Sequence, residues 1–136
     1  MREILFRGKG DKRYNDGEWC FGVPIECYDG DWQICTDCIR STVVPETVGE
    51  YTGLTDKNGK KIFEGDICEV TTFTYEGEDI QLLGKVCFKY SSFVFQDLKH
   101  PDDEVLFSSV CDFDTDVEVI GNIYDNPELI GGGAND

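Results

Sequence analysis

Asn58-Gly59 constrains the folding of this chain more than any other pair of residues. It sits in Val48–Val70, VGEYTGLTDKNGKKIFEGDICEV, with Asp56 and Lys57 immediately before it. Asparagine and glycine tolerate the positive φ that a tight hairpin turn demands, so the flanking segments are expected to pair as antiparallel strands. Phe63-Glu64-Gly65-Asp66-Ile67 then sets a glycine-aspartate turn ahead of Ile67-Cys68-Glu69-Val70, where a further strand is expected to begin. None of these residues makes a catalytic pattern.

At 136 residues the chain can build one self-sufficient core, or two small lobes sharing one. No apolar run approaches the roughly 20 residues that span a bilayer, and MREILFRGKGDKR lacks the apolar stretch and cleavage site of a signal peptide. A cytoplasmic protein is expected. Seven cysteines, Cys20, Cys27, Cys35, Cys38, Cys68, Cys87 and Cys111, are odd in number and unevenly spread. Free thiols in a reducing compartment are the expectation.

Charge is distributed unequally: Met1–Arg13 holds five basic and two acidic residues, and the remainder seven basic against 26 acidic, for a net −16. Such a field repels phosphate backbones and attracts basic partners, so nucleic acid is disfavoured except through the N-terminal cluster Arg2, Arg7, Lys9, Lys12 and Arg13. The plain reading is a solvated acidic surface; mimicry of a nucleic-acid surface is the other.

Along the chain, Glu3–Arg7 reads as a first strand closed by a turn at Gly8-Lys9-Gly10-Asp11. Trp19–Ile25 fits a second strand, with Trp19, Phe21 and Val23 on one face and Cys20 and Gly22 on the other, stopped near Pro24. Asp29-Gly30-Asp31 is a turn, Gln33–Val44 is strand-like or irregular, and Pro45-Glu46-Thr47 breaks it. Ile67–Phe73 is a strand, followed by a polar connection over Tyr75–Asp79. Gly84–Tyr90 follows, with Val86, Phe88 and Tyr90 sharing a face. After a turn at Ser91-Ser92 come Phe93–Phe95, a loop at His100–Asp103, a short strand Val105–Phe107 and a closing strand Val117–Ile123. Asn126-Pro127-Glu128-Leu129 is a single helical turn with proline at its first position, and Gly131–Asp136 a disordered tail.

About eight or nine short strands and no long helix specify a mainly β fold. Five strands between Tyr51 and Ile123 are the inventory of a small SH3-like barrel in the C-terminal two-thirds, with an additional N-terminal β region. The expected division is 1–47 for the N-terminal region, 48–130 for the barrel and 131–136 for the tail. The N-terminal strands either form a second lobe or join a neighbouring subunit through an exposed edge.

Three blocks carry a family resemblance: EYTGLTDKNGKKIFEGDI over Glu50–Ile67, MREILFRG over Met1–Gly8 and VIGNIYDNPEL over Val119–Leu129. They resemble the YopX family of phage and prophage proteins. The resemblance implies a small cytosolic protein with a β-rich fold containing an SH3-like barrel, and it brings no activity. Lys9–Pro45, which holds both tryptophans and four of the seven cysteines, lies between the family blocks. Within the blocks, Gly53, Gly59, Gly65 and Gly121 suit turns or close backbone approach, and Tyr51, Ile62, Phe63 and Ile67 suit a core. The alternative is a binding surface made of Tyr51, Asp56 and Lys57.

Candidate chemistry is sparse. Cys35-Thr36-Asp37-Cys38 is a CxxC, and with Cys20 and Cys27 it offers four thiolates for a tetrahedral zinc site. A strong zinc ribbon has two such knuckles, whereas Cys20 and Cys27 are separated by six residues. Nothing marks a helix N-terminus that would activate a redox thiol. His100 stands alone in a polar loop. Asp112, Asp114 and Asp116 alternate like the start of a calcium loop but lack its glycine and closing glutamate. No catalytic, cofactor-binding or metal-binding residue is assigned. Trp19, Phe21, Tyr28 and Trp32 cluster in the region between the family blocks, as core, as a protein or subunit interface, or as base-stacking groups. The function that follows is a non-enzymatic, self-associating protein-binding module, its partner a host or phage factor with a basic face. The alternative is a nucleic-acid-associated regulatory protein of the phage.

Overall fold

The Asp56–Lys60 segment forms the turn that its composition requires. Asp56 N–H donates to the Lys60 carbonyl at 2.7 Å, and Gly59 N–H to the Asp56 carbonyl at 3.0 Å. Gly59 adopts φ +83° while Asn58 keeps a negative φ, so a single left-handed glycine closes the hairpin rather than a left-handed pair.

The computed structural model describes residues 4–73, 79–89, 92–100, 104–106 and 115–131. Within them run eleven strands: β1 (Phe6–Lys9), β2 (Trp19–Glu26), β3 (Trp32–Thr36), β4 (Ile39–Val43), β5 (Gly49–Thr55), β6 (Lys61–Phe63), β7 (Asp66–Phe73), β8 (Asp79–Lys89), β9 (Ser92–Asp97), β10 (Glu104–Leu106) and β11 (Thr115–Asn122). A 3-10 turn, Pro45–Thr47, precedes β5, and the one helix, α1, is Pro127–Gly131, with proline opening it as expected. The mainly β reading holds. The expected Tyr75–Asp79 connection, the Asp112 and Asp114 carboxylates, Cys111 and the tail beyond Gly131 lie outside the described residues, apart from Asp79, which begins β8.

Two compact units divide the chain, Met1–Gly53 and Leu54–Asp136. In the first, β4-β3-β2-β1-β5 lie in order and every pairing is antiparallel. Ile34 and Val43 are its most deeply buried apolar side chains. Gly8 and Gly10 continue the strand rather than turning it, which corrects the expected Gly8–Asp11 turn. A Cβ on Gly8 would come within 3.1 Å of Val43, so glycine serves close packing there. Gly10 bridges Val43, and Asp11 N–H donates to Thr42 O at 2.9 Å and Val44 N–H to Lys9 O at 2.8 Å. Thr47, buried, accepts Lys9 N–H at 2.8 Å and donates to Val44 O at 2.6 Å, which fastens the 3-10 turn to β1.

β2 changes partner midway. Phe6–Lys9 of β1 pair with Trp19–Gly22, and β3 with Val23–Glu26. Gly22, at φ +154°, marks the exchange, and a Cβ there would lie 2.3 Å from Cys35 O. Pro24 falls in the half that pairs with β3, which reconciles a proline with a strand interior.

In the second unit the sheet order is β10-β9-β8-β7-β11, all antiparallel. Ile62, Cys68, Val70, Val86, Phe93, Phe95, Val117 and Val119 form its core. β8 begins at Asp79, five residues earlier than the expected strand at Gly84. Gly84 sits in mid-strand because a Cβ there would press within 3.2 Å of Phe95. Phe88, expected to share a buried face with Val86, is 53% exposed and stacks edge-on against Phe93 at 5.0 Å.

Among the described residues neither sheet closes: β10 and β11 stand at opposite ends of the second sheet. The expected closed SH3-like barrel is an open antiparallel meander here. Strand count and turn spacing suit either form, because closure depends on the stagger between edge strands, which local sequence pattern does not encode.

Candidate functional site

The signature residues resolve into backbone supports. Asp56 is buried, and its carboxylate accepts Asn58 and Lys60 N–H at 2.9 Å on Oδ1 and Val119 N–H at 2.9 Å on Oδ2. Burial pushes the Asp56 carboxyl up, but those three backbone donors and the Lys60 charge outweigh it and hold it below its ordinary value. Asp66, also buried, accepts Phe63 N–H at 2.7 Å across the turn that Gly65 makes at φ +93°. Asn122 Oδ1 accepts Tyr124 and Asp125 N–H at 3.0 and 2.9 Å. Asn126 Oδ1 accepts Asn122 N–H at 3.2 Å, and a Cβ on Gly121 would strike that oxygen at 2.5 Å. Of the suggested surface Tyr51, Asp56 and Lys57, the first two are buried and Lys57 pairs with Glu118 at 3.6 Å. The block is fold.

Cys35-Thr36-Asp37-Cys38 is a hairpin tip. Thr36 pairs with Ile39 and Cys35 with Arg40, while Asp37 and Cys38 take φ +48° and +68°, the left-handed pair of a two-residue turn. Aspartate at the first turn position was the available signal. Cys20, Cys27 and Cys35 are half-buried and Cys38 exposed, all as free thiols. Among the described residues no three His, Cys, Asp or Glu side chains gather closely enough to hold a metal. Cys87, by contrast, is pushed up by burial, which outweighs the opposing charges of Lys85 and Lys89.

The N-terminal cations are dispersed. Arg7 is buried with its guanidinium 4.4 Å over the Trp19 ring. Arg13 pairs with Asp11 at 2.7 Å and Asp31 at 3.2 Å; the Asp11 contact, then Asp31, raises its pKa, and Asp11 is correspondingly lowered. Arg2 lies outside the described residues. His100 is exposed, its backbone N–H on Asp97 at 3.2 Å.

The aromatic cluster separates into two environments. Trp19 and Trp32 are half-buried, while Phe21, Val23 and Tyr28 are 45%, 57% and 113% exposed and Ile39 64%. Within the alternation Trp19-Phe21-Val23, Arg7 covers Trp19 while Phe21 and Val23 are exposed, and Gly22 on the other side of β2 is buried. A periodic pattern shows which residues share a face and leaves open which face is covered. A groove of about 410 Å³ between Ile25, Glu26, Cys27, Tyr28 and Arg40 lies in the same unit.

The YopX protein family model matches residues 9–131. The chain belongs to the YopX family. Two of the signature blocks, Glu50–Ile67 and Val119–Leu129, lie within the matched residues and fix turns and core there, Met1–Gly8 precedes the match, and the exposed apolar residues of β2 lie inside it. Among solved structures, this YopX chain is similar to the crystal structure of protein EF1440 from Enterococcus faecalis, with 20% identity over 96% of this chain and 99% of that one and a TM-score of 0.54. At that identity the likeness is one of fold. No curated protein matches the chain. Among the described residues no helix is long and apolar enough to cross a membrane.

Proposed function

We propose that this YopX-family protein is a non-enzymatic module of phage or prophage origin that self-associates and binds protein partners in the bacterial cytoplasm. One observation carries the reading: Phe21 and Val23 stand on the open side of β2 at 45% and 57% exposure, in the segment between the family blocks. Large apolar side chains grouped on an open sheet face favour a covered surface. The five-stranded meander, with β11 returned to β7, is read as an SH3-like core serving as scaffold. The nucleic-acid alternative draws less support, because Arg7 is buried against Trp19 and Arg13 is engaged by two aspartates. Light scattering of the purified protein over a concentration series tests self-association; a strictly monomeric chain contradicts it. Association that disappears on nuclease treatment moves the alternative to the front.

A further inference from the structure

Of the five asparagines in the chain, Asn58 is the one followed by glycine. Where the structure describes the others, they are held or blocked. Asn15 donates to Thr42 O at 3.1 Å and accepts Gly17 N–H at 3.0 Å. Asn122 accepts two backbone N–H groups, and Asn126 precedes a proline, which has no N–H to react. Asn58 is exposed, and among the described residues its side-chain amide makes no hydrogen bond. Gly59 is exposed as well, with nothing within 4 Å of where a Cβ would stand. Neither a side chain of its own nor a neighbour crowds that position.

What restrains the pair is Asp56. Its carbonyl accepts Gly59 N–H at 3.0 Å, and its Oδ1 accepts Asn58 and Lys60 N–H at 2.9 Å. For the Gly59 nitrogen to reach Asn58 Cγ it must leave the Asp56 carbonyl, and the peptide between the two residues must turn out of the hairpin geometry. Reaction therefore waits on local opening of the turn.

We propose that Asn58 is a site of spontaneous deamidation whose rate is gated by the Asp56 cap. The Gly59 nitrogen attacks Cγ, an N–Cγ bond forms as Cγ–Nδ2 breaks, and Nδ2 leaves as ammonia with the proton lost from Gly59. Water then opens the cyclic imide. Cleavage at N–Cγ leaves aspartate, and cleavage at the backbone carbonyl leaves isoaspartate, whose main chain is longer by one methylene. That extra atom falls inside a turn whose ends are joined by Asp56 N–H to Lys60 O at 2.7 Å, so the isoaspartyl chain cannot keep the same closure. The modification adds a carboxylate and loosens the hairpin that Asp56 ties to Val119.

Ageing of the full chain at mildly alkaline pH tests this, with circular dichroism confirming that each variant is folded. Glutamyl endopeptidase releases Tyr51–Glu64, and mass spectrometry follows its change from amide to acid. Conversion at Asn58 is expected to be at least about tenfold faster in wild type unfolded by guanidinium chloride than in the folded protein. Folded Asp56→Ala is expected to convert at least about tenfold faster than wild type. Asp56→Asn, which retains an acceptor oxygen, is expected to fall between them and serves as the test if Asp56→Ala does not fold. The isoaspartyl fraction, separated by anion exchange, is expected to melt below the unmodified chain. Equal rates in folded and unfolded wild type overturn the gate, as do folded Asp56 variants that convert at the wild-type rate. Conversion of Asn15 or Asn122 ahead of Asn58 in the folded protein overturns the site, and an isoaspartyl fraction that melts with the unmodified chain overturns the loosened turn.

Discussion

The carboxylate of Asp56 accepts the backbone N–H of Val119 at 2.9 Å, across 63 residues of chain. The same side chain caps its own hairpin through Asn58 and Lys60, so one buried group fixes the turn and ties it to β11. The bond falls next to the register shift between Val119 and Gly121, where a bulge interrupts the regular ladder.

Removing that carboxylate leaves three backbone donors without it. Asp56→Ala is expected to lower stability by about 2–4 kcal/mol and Asp56→Asn by about 1–2, since an amide oxygen replaces part of what two carboxylate oxygens accept. Urea denaturation midpoints of the three proteins check the order.

Acid dependence follows from the same group. Its carboxyl is held below its ordinary value in the folded protein, so its contribution is complete above the ordinary aspartate value of about 4 and is lost as pH falls through the lower folded value. Wild type is expected to lose stability more steeply below about pH 4 than Asp56→Asn. Thermal melts at stepped pH read the difference in slope.

Cys38 occupies a left-handed position at φ +68° that glycine adopts without penalty. Cys38→Gly is expected to raise stability by about 0.5–1 kcal/mol, and Cys38→Val to lower it by about 1–2. Melting temperatures of the two variants should move in opposite directions.

Gly22 lies where β2 changes partner, and a Cβ there meets the Cys35 carbonyl at 2.3 Å. Gly22→Ala is expected to cost about 2 kcal/mol or more, because a backbone atom must move. Chemical denaturation measures the loss; a variant as stable as wild type would contradict the partner exchange described for β2.

Much of this fold is legible in the residues. Asn58-Gly59, Gly65-Asp66 and Asn126-Pro127 mark their turns because each type has a local backbone reason to be there. Gly8 and Gly84 mislead as punctuation, since their reason is contact with Val43 and Phe95, residues distant in sequence. Asp37-Cys38 escapes notice because cysteine is an uncommon choice for a left-handed position. The side of β2 that carries Phe21 and Val23 is equally hidden: alternation is symmetric between faces, and only the placement of Ile34 and Val43 decides which one is filled.

The single bridge between Gly10 and Val43 also has a kinetic meaning. The hairpins β2–β3 and β3–β4 join neighbours in sequence and can form early, whereas this bridge must gather the whole intervening segment first. By that measure it closes after either hairpin. The amides of Asp11 and Val44, whose bonds secure it, should therefore exchange with solvent deuterium sooner than those of the β3–β4 ladder.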